Sequence, residues 1–446
     1  MAPPVIYDAL RLFLGAGTPR GIDRVDVCYA RHLFHTWPGE CHGLLPTPWG
    51  LRLYDRSWVL DRLGRLEALW HEQRGSGDDP VLAQVLRQLD GRDAAPGRGS
   101  RGTPAAIKPW KLRATGMALG LPAGRAAPPD SLYLNIGQLG WAAPWTARWL
   151  HQRPDVRPVF MLHDVIPIEH PHLVSRLGHL THKRMVDTAA RHAAGLIATT
   201  ATAGESVLAA LHARGRPAPP VVALPLPVAP VFLQPEPPDP GLAAHTYFLL
   251  CGAIEPRKNH LMLLRVWEEL ARRLGERTPR LIVAGAPARG GKLILQRLEG
   301  CAALRRYLII ATGLSSPALR RLMAQARAVL MPSLAEGFGL PIIEALTLGT
   351  PVLASNLPAH LEVGGDFAIY LDPGDVAGWV CEIDRLVKDR AYAEGLRRRT
   401  AAYQPTTAAT YFPRIEQFLE RLGCDHPSNR GAQRPAQIVP AGRVPA

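Results

Sequence analysis

The chain has 446 residues, 47% of them hydrophobic, and a formal net charge of +14. That length is too great for one ordinary core and implies two domains plus appendages, while no apolar run approaches the ~20 residues that span a bilayer. The N-terminus has no basic segment ahead of its apolar part and the six cysteines form no C-x-x-C pair, so neither a signal peptide nor a disulfide framework is expected and a cytoplasmic setting is.

The charge calls for an anionic partner, but zinc-finger spacing, recognition-motif aromatics and a basic zipper are all missing, which sets nucleic acid aside. Residues Val5 to Leu14 read as an opening strand and loop entrance. Gly15 to Arg24 then bring three glycines close to three charges, and Val25 to Phe34 have the apolar spacing of a helix. Gly15, Gly17 and Gly21 do not fit G-x-G-x-x-G, so a dinucleotide fingerprint is not supported. A ligand contact is still expected there, because open α/β sheets bind beyond the carboxyl ends of their strands; an ordinary connection is the alternative.

Leu44 to Leu60 and Leu82 to Leu89 read as short strands and a helix. A Gly- and Pro-rich insertion follows at 92–128, densely basic from Arg92 to Arg125. It has two readings, attraction to an anionic membrane face or lipid-linked substrate and a plain solvated loop. Leu132 to Ile136 are strand-like, and Trp141, Trp145 and Trp149, spaced by four, read as a helical stripe packed on the sheet.

The strand Val159 to Leu162 runs straight into His163 and Asp164. A histidine at such a strand end can donate to a phosphate or sugar oxygen; a satisfied structural histidine is the alternative. His170, His172, His179, His182 and His192 show no i, i+4 pair with a carboxylate partner, and no metal is expected. Gly195 to Thr200 form another strand, with a helix over Ala203 to Ala213. Leu224 to Pro240 hold so many prolines that neither helix nor interior strand should persist, which marks the interdomain linker.

Beyond the linker, strands Tyr247 to Cys251, Leu281 to Ala284 and Tyr307 to Ala311 alternate with helical stretches, the signature of a doubly wound parallel sheet. Arg257 and Lys258 follow the first strand and precede a helix from His260. They form a fixed fork and a point charge suited to two phosphates, or else a solvated charge pair. Met331 to Ser355 read as strand, glycine-bearing loop, helix from Pro341 to about Gly349, and strand. Its helix start is an anion site, flanked by Glu336 and Glu344 with seven residues between them. Carboxylates beside an anion site are unfavourable unless they meet hydroxyls, and a nucleotide sugar is anionic in the middle and hydroxyl-rich at both ends. The alternative makes Glu336 a cap and Glu344 a solvated helix residue.

The stretches FMLHDVIP, CGAIEPRKNH and ATGLSSPALRRLMAQARAVLMPSLAEGFGLPIIEALTLGTPVLAS resemble the glycosyltransferases of family 4. The likeness is strong from Tyr247 to about Asp375, moderate over Val159 to Leu211, faint over the first 60 residues and absent from the insertion and tail. It implies an α/β GT-B fold, two facing Rossmann-like doubly wound parallel-sheet domains with a cleft between them. The expected division is an acceptor-side domain over 1–235, a nucleotide-sugar domain over 236–402, a helix at 403–423 crossing back, and a disordered tail over 424–446. One departure is Tyr403 to Thr407, which stand where the family often has a tryptophan-containing segment.

The same resemblance implies a retaining, metal-independent hexosyltransferase without cofactor. It would draw on a nucleoside-diphosphate sugar, GDP-mannose first and UDP-glucose next, because EPRKN followed by His resembles the mannosyltransferase branch. The implied acceptor is a polysaccharide or lipid-linked saccharide, with peripheral contact at the inner membrane face. By the same likeness Arg257 and Lys258 would hold the donor diphosphate, Glu336 the sugar hydroxyls near the reacting carbon and Glu344 the ribose. Phe338, Gly339 and Leu340 would offer backbone N–H groups, His163 would reach over the donor sugar, Gly17 and Gly21 would lie near the diphosphate, and Leu314 beside the base. Two competing readings are a sugar-nucleotide epimerase, which should show extra acid/base carboxylates, and a non-catalytic glycan-binding or scaffold relative, which should have lost the phosphate pair or a glutamate.

Overall fold

The computed structural model describes residues 2–14, 19, 21–72, 79–92, 120–288, 290–424 and 438–439. Most of the basic insertion, most of the C-terminal tail and Gly17 therefore lie outside the described residues. Two sheets organise the chain. The first contains β1 (Val5–Asp8), β2 (Cys41–Thr47), β3 (Gly50–Tyr54), β4 (Leu121–Pro122), β5 (Leu132–Asn135), β6 (Arg157–Leu162), β7 (Gly195–Ala198) and β8 (Val221–Ala223). The second contains β9 (Tyr247–Cys251), β10 (Arg280–Ala284), β11 (Leu308–Ala311), β12 (Ala328–Met331), β13 (Val352–Ser355) and β14 (Ile369–Leu371).

In the first sheet β8, β7, β6, β5, β1 and β2 lie in that order and run parallel, and β3 and β4 turn back antiparallel at one edge. The second sheet is wholly parallel in the order β11-β10-β9-β12-β13-β14. Its inner strands β9, β10, β12 and β13 are short apolar runs buried on both faces, as parallel strands covered by helices must be, and the edge strand β14 is half-buried. The order reverses between β9 and β12, and between β1 and β5 in the first sheet. Those reversals open crevices at the strand carboxyl ends.

The helix Ala408–Cys424 returns to the first domain and packs on the helix Gly21–Thr36: Tyr411 and Tyr29 share a hydroxyl hydrogen bond, and His32 stacks on Phe412 with centroids 3.9 Å apart. A reciprocal crossing was not foreseen. The helix Pro80–Leu89, of the first domain in sequence, packs against β11 of the second sheet. Asp79 caps it through the Val81 and Leu82 N–H groups and also accepts the Ser315 N–H at 2.8 Å. One continuous hydrophobic core results, running from Tyr7 and Phe34 through Leu82 and Val85 to Leu249 and Met331.

Local expectations are corrected at several places. Leu10–Leu14 form a helical turn, and the following helix begins at Gly21, inside the expected glycine loop. Pro230–Leu233 form a helical turn within the proline-rich linker, because Pro230 stands at the start, where its missing N–H costs nothing. The Trp stripe is not uniform. Pro144 starts the helix Pro144–Gln152 only after Trp141, which stacks on Phe160, while Trp149 is buried and Trp145 is 49% exposed. In the tail, Ile438–Val439 pair in parallel with β8, where only disorder was expected.

Asp26 supplies a stability test. It is fully buried; the Tyr7 hydroxyl donates to its Oδ1 at 2.7 Å, and its Oδ2 has no hydrogen-bond partner. Burial raises its carboxyl from 3.8 to about 8, against the opposing pull of the Tyr7 hydrogen bond and of Arg11. The folded chain thus keeps a proton that the unfolded chain sheds near pH 4, so the contribution present at low pH is lost as pH rises through about 8. His163 and His260, pushed down to about 4 by burial, are neutral in the folded chain and titrate in the unfolded chain mostly below pH 7, and Asp26→Asn leaves their contribution unchanged. From about pH 7 to pH 8 the melting temperature of Asp26→Asn should fall less steeply than that of the wild type, as read by scanning calorimetry. Parallel slopes would remove Asp26 as the cause.

Candidate functional site

The crevice at the β9/β12 reversal is built by two loops. After β9 the chain makes a tight 3-10 turn over Pro256–Lys258 and then passes through Asn259 in the left-handed conformation, φ 57°, before the helix His260–Leu274. Asparagine tolerates that conformation better than most residues, and here its Nδ2 is held by a long-range hydrogen bond to the Pro373 carbonyl at 2.9 Å. The turn fixes Arg257 and Lys258 at the strand end.

After β12 the second loop presents Ser333 and Glu336. Arg257 Nη1 donates to Glu336 Oε2 at 2.6 Å, Lys258 Nζ pairs with Oε1, and Ser333 Oγ donates to Oε1 at 2.8 Å. Arg257 Nε also meets Glu255 Oε1 at 2.8 Å. Burial alone would raise the Glu336 carboxyl, but Arg257 and Lys258 outweigh it and hold the group far below the ordinary carboxylate range. Glu336 is therefore a fixed anion, a poor base and a poor nucleophile.

Gly337 and Gly339 then shape the approach of the two domains. A Cβ on Gly337 would overlap the His163 carbonyl oxygen, and the Thr199 and Thr200 hydroxyls each donate to the Gly337 carbonyl at 3.1 Å. Gly339 takes φ +104°, which only glycine adopts freely, and directs the chain into the helix Leu340–Thr347. That helix starts one residue earlier than the position of Pro341 suggests. Its first residue is abutted from the facing domain, since a Cβ on Gly21 would lie 2.7 Å from Leu340 Cδ1. Glu344, 3% exposed, points inward and meets Arg24 Nη1 at 2.9 Å. It is not a solvated helix residue.

His163 stands at the end of β6 and its Nε2 lies 3.2 Å from the Ile136 carbonyl. A carbonyl only accepts, so Nε2 carries the proton, and burial keeps the ring neutral by pushing its pKa down to about 4. The remaining nitrogen is an acceptor. With its one proton directed at the Ile136 carbonyl, the neutral ring has an acceptor, not a donor, left for a phosphate or sugar oxygen. Phe338 is buried in the core, and so is the Leu314 side chain, which leaves only the Leu314 backbone to face a ligand. Leu314 follows β11, two strands away from β9.

The structure thus brings Arg257, Lys258 and Glu336 into contact, seats Gly21 on Leu340 and lays the His163 backbone over Gly337. Two residues escaped sequence reasoning. Arg24 lies in the stretch singled out for its glycines, where its charge was given no role. His360, fully buried in the helix Pro358–Gly364, donates through Nδ1 to the Ser355 carbonyl at 3.0 Å and leaves Nε2 unpartnered beside Gly339. It lies five residues past the end of β13, inside the next helix, where no strand-end signal in the sequence marks it. Among the described residues no group of three His, Cys, Asp or Glu side chains converges to hold a metal ion, and no helix is long and apolar enough to cross a membrane.

Residues 245–389 match the family model described as glycosyl transferases group 1. The O-antigen chain mannosyltransferase B of Escherichia coli is 36% identical over 154 residues, which is 34% of this chain and 40% of that protein. The O-antigen chain mannosyltransferase RfbU of Salmonella typhimurium is 31% identical over 143 residues, 31% of this chain and 38% of that protein. The chain thus spans two fifths or less of the length of these relatives. Among solved structures, Anabaena Alr3699/HepE in complex with UDP-glucose aligns over 94% of this chain and 100% of its own, with a TM-score of 0.58 at 16% identity. The UDP-forming trehalose-phosphate synthase of Burkholderia xenovorans aligns over 65% of this chain and 73% of its own, with a TM-score of 0.52 at 15% identity. The fold is GT-B.

Gly337→Ala should push the domains apart at the His163 carbonyl while each domain keeps its own core. Small-angle X-ray scattering should then report a larger radius of gyration than the wild type's. An unchanged radius would mean that the loop yields instead.

Proposed function

We propose that this chain, whose residues 245–389 match the glycosyl transferases group 1 family, is a retaining hexosyltransferase that needs no metal and moves a sugar from a nucleoside diphosphate to a glycan or lipid-linked saccharide. The observation that carries this reading is the Arg257–Lys258–Glu336 cluster at the strand-order reversal, set beside the Leu340 helix start and met by the His163 backbone at Gly337. Two cations and a helix N-terminus suit the charge that develops on a departing diphosphate.

The chemistry follows from what each group is able to do. The bond from the sugar's anomeric carbon to the diphosphate oxygen breaks, and its electron pair leaves with the diphosphate. Arg257, Lys258 and the N–H groups at the helix start stabilise that charge. Glu336, tied up as an anion, is unsuited to removing a proton or forming a covalent sugar adduct, so it orients hydroxyls. The acceptor hydroxyl enters from the face the diphosphate vacates, its oxygen bonds the anomeric carbon, and its proton passes to the departing phosphate oxygen. His163 and His360, each with a ring nitrogen available as acceptor, would hold sugar hydroxyls.

Mannose is the first choice of sugar, because relatives that match this chain are named as O-antigen mannosyltransferases. GDP-mannose is the donor to try first and UDP-glucose the second. We place the reaction in the cytoplasm, at the inner membrane face when the acceptor is lipid-linked.

The test is a donor panel with a range of saccharide and lipid-linked acceptors, scored by release of nucleoside diphosphate. One donor should be turned over. Lys258→Ala should lower that turnover by about 10²-fold or more, the usual cost of removing one preorganised donor at a developing anion, with an unchanged circular dichroism spectrum. Release of nucleotide from no donor with any acceptor, or wild-type rates in Lys258→Ala, would sink the reading.

A further inference from the structure

The first domain also sends a cation into the crevice. Arg24 lies one turn into the helix Gly21–Thr36, and its Nη1 is 2.9 Å from Glu344 Oε1 of the second domain, 320 residues away in sequence. Its side chain is 17% exposed, so solvent and ligands reach it, and its guanidinium lies 5.7 Å from the Phe232 ring centroid. Arg24 Nε is buried without a hydrogen-bond partner. The fork is therefore only partly used.

Its surroundings belong to the same charged crevice. Cys251 ends β9, and its thiol is pushed up to about 12 by burial and by Glu344, while Arg24 and Lys258 act on it in the opposite direction. One half-buried cysteine thus lies near both the first domain's arginine and the second domain's lysine. The helix starts at Gly21 and Leu340 also converge here, Gly21 having room for no side chain against Leu340. Arg24 is balanced there by Glu344, as Lys258 and Arg257 are by Glu336.

We propose that Arg24 is a donor-binding residue supplied by the first domain, and that Arg24 and Glu344 each stand in for a part of the ligand. This rests on the transferase reading above. When ribose hydroxyls take Glu344, Arg24 is released and turns its fork to the diphosphate, joining Arg257 and Lys258. Separating a buried ion pair is costly unless both halves find new partners. A nucleoside alone satisfies Glu344 and strands Arg24, and a free diphosphate does the reverse. A nucleoside diphosphate satisfies both, so the pair selects for ligands that carry both parts.

The experiment is calorimetric binding of guanosine, uridine, GDP, UDP and inorganic pyrophosphate to the full chain, in the wild type and in Arg24→Ala, Arg24→Lys and Arg24→Gln. Arg24→Ala should weaken binding of the preferred nucleoside diphosphate by about tenfold or more, the cost of one lost charge-assisted contact. The matching nucleoside should bind as in the wild type or more tightly, and Arg24→Lys should recover part of the loss. A merely structural arginine would weaken nucleoside and nucleoside diphosphate by the same factor, and that result overturns the proposal. So does an undiminished affinity of Arg24→Ala for the diphosphate. If Arg24→Ala fails to fold, Arg24→Gln makes the same comparison while keeping a hydrogen bond to Glu344. A wild type that binds neither GDP nor UDP defeats the transferase reading itself, whereas a wild type that binds one and variants that match it defeat only the role of Arg24.

Discussion

The structure around the crevice depends on one carboxylate, Glu336, held between Arg257 and Lys258. Each partner comes from a different strand end, the cations after β9 and the carboxylate after β12, so the contact joins the two loops on either side of the sheet's reversal. Removing Glu336 would strand the buried Lys258 without a carboxylate, and breaking a buried pair in this way typically costs about 3–5 kcal/mol. That is a large fraction of a protein's whole stability. The geometry of the loops is accordingly set before any ligand arrives, and a preorganised site spends nothing on reorientation during reaction.

From that fixed loop the interdomain contacts follow. Glu336 positions Gly337, and Gly337 is where the first domain's His163 backbone, Thr199 and Thr200 are received. Close by, Glu362 reaches from the second domain to accept the Ala201 and Thr202 N–H groups, capping a helix of the first. Helix starts leave their first N–H groups unpaired, and a cap lent by the other domain makes the end of the helix Ala201–His212 depend on how the domains sit. With Arg24 on Glu344, the ligand crevice and the domain interface share residues. Under the proposal that Arg24 binds the donor, donor binding and domain position are coupled, since a ligand that takes Glu344 or Arg24 alters the interface in the same step.

The parallel sheets were legible in the sequence because their signal is local. Short apolar strands ending in glycine or a charged residue, alternating with amphipathic helices, admit few other folds. The loop after β12 was legible for the same reason, since Gly339, Pro341 and Gly349 mark the helix within a dozen residues. What escaped depends on distance. Arg24 gains meaning only from Glu344, 320 residues on, and the helix Pro80–Leu89 reads as amphipathic without disclosing that its apolar face belongs to the other sheet. His163 was correctly seen at a strand end, but its tautomer is dictated by the Ile136 carbonyl on a neighbouring strand's extension, which no periodicity reveals. The helical turn at Pro230–Leu233 was missed because proline was counted as a breaker where it stands first in a helix.

The chain's excess of positive charge is not concentrated in the crevice. Arg257 meets Glu336 and Glu255, Lys258 meets Glu336, and Arg24 meets Glu344, so three cations face three carboxylates. The net charge of +14 must therefore reside elsewhere on the chain. A balanced crevice attracts anions weakly at long range, yet it holds three cations ready once a ligand supplies the oxygens that the carboxylates now supply. Specificity then comes from replacement rather than attraction. Under the proposal made for Arg24, a ligand must offer hydroxyls to Glu344 and an oxyanion to the arginine it releases, which is a stricter condition than charge alone would impose.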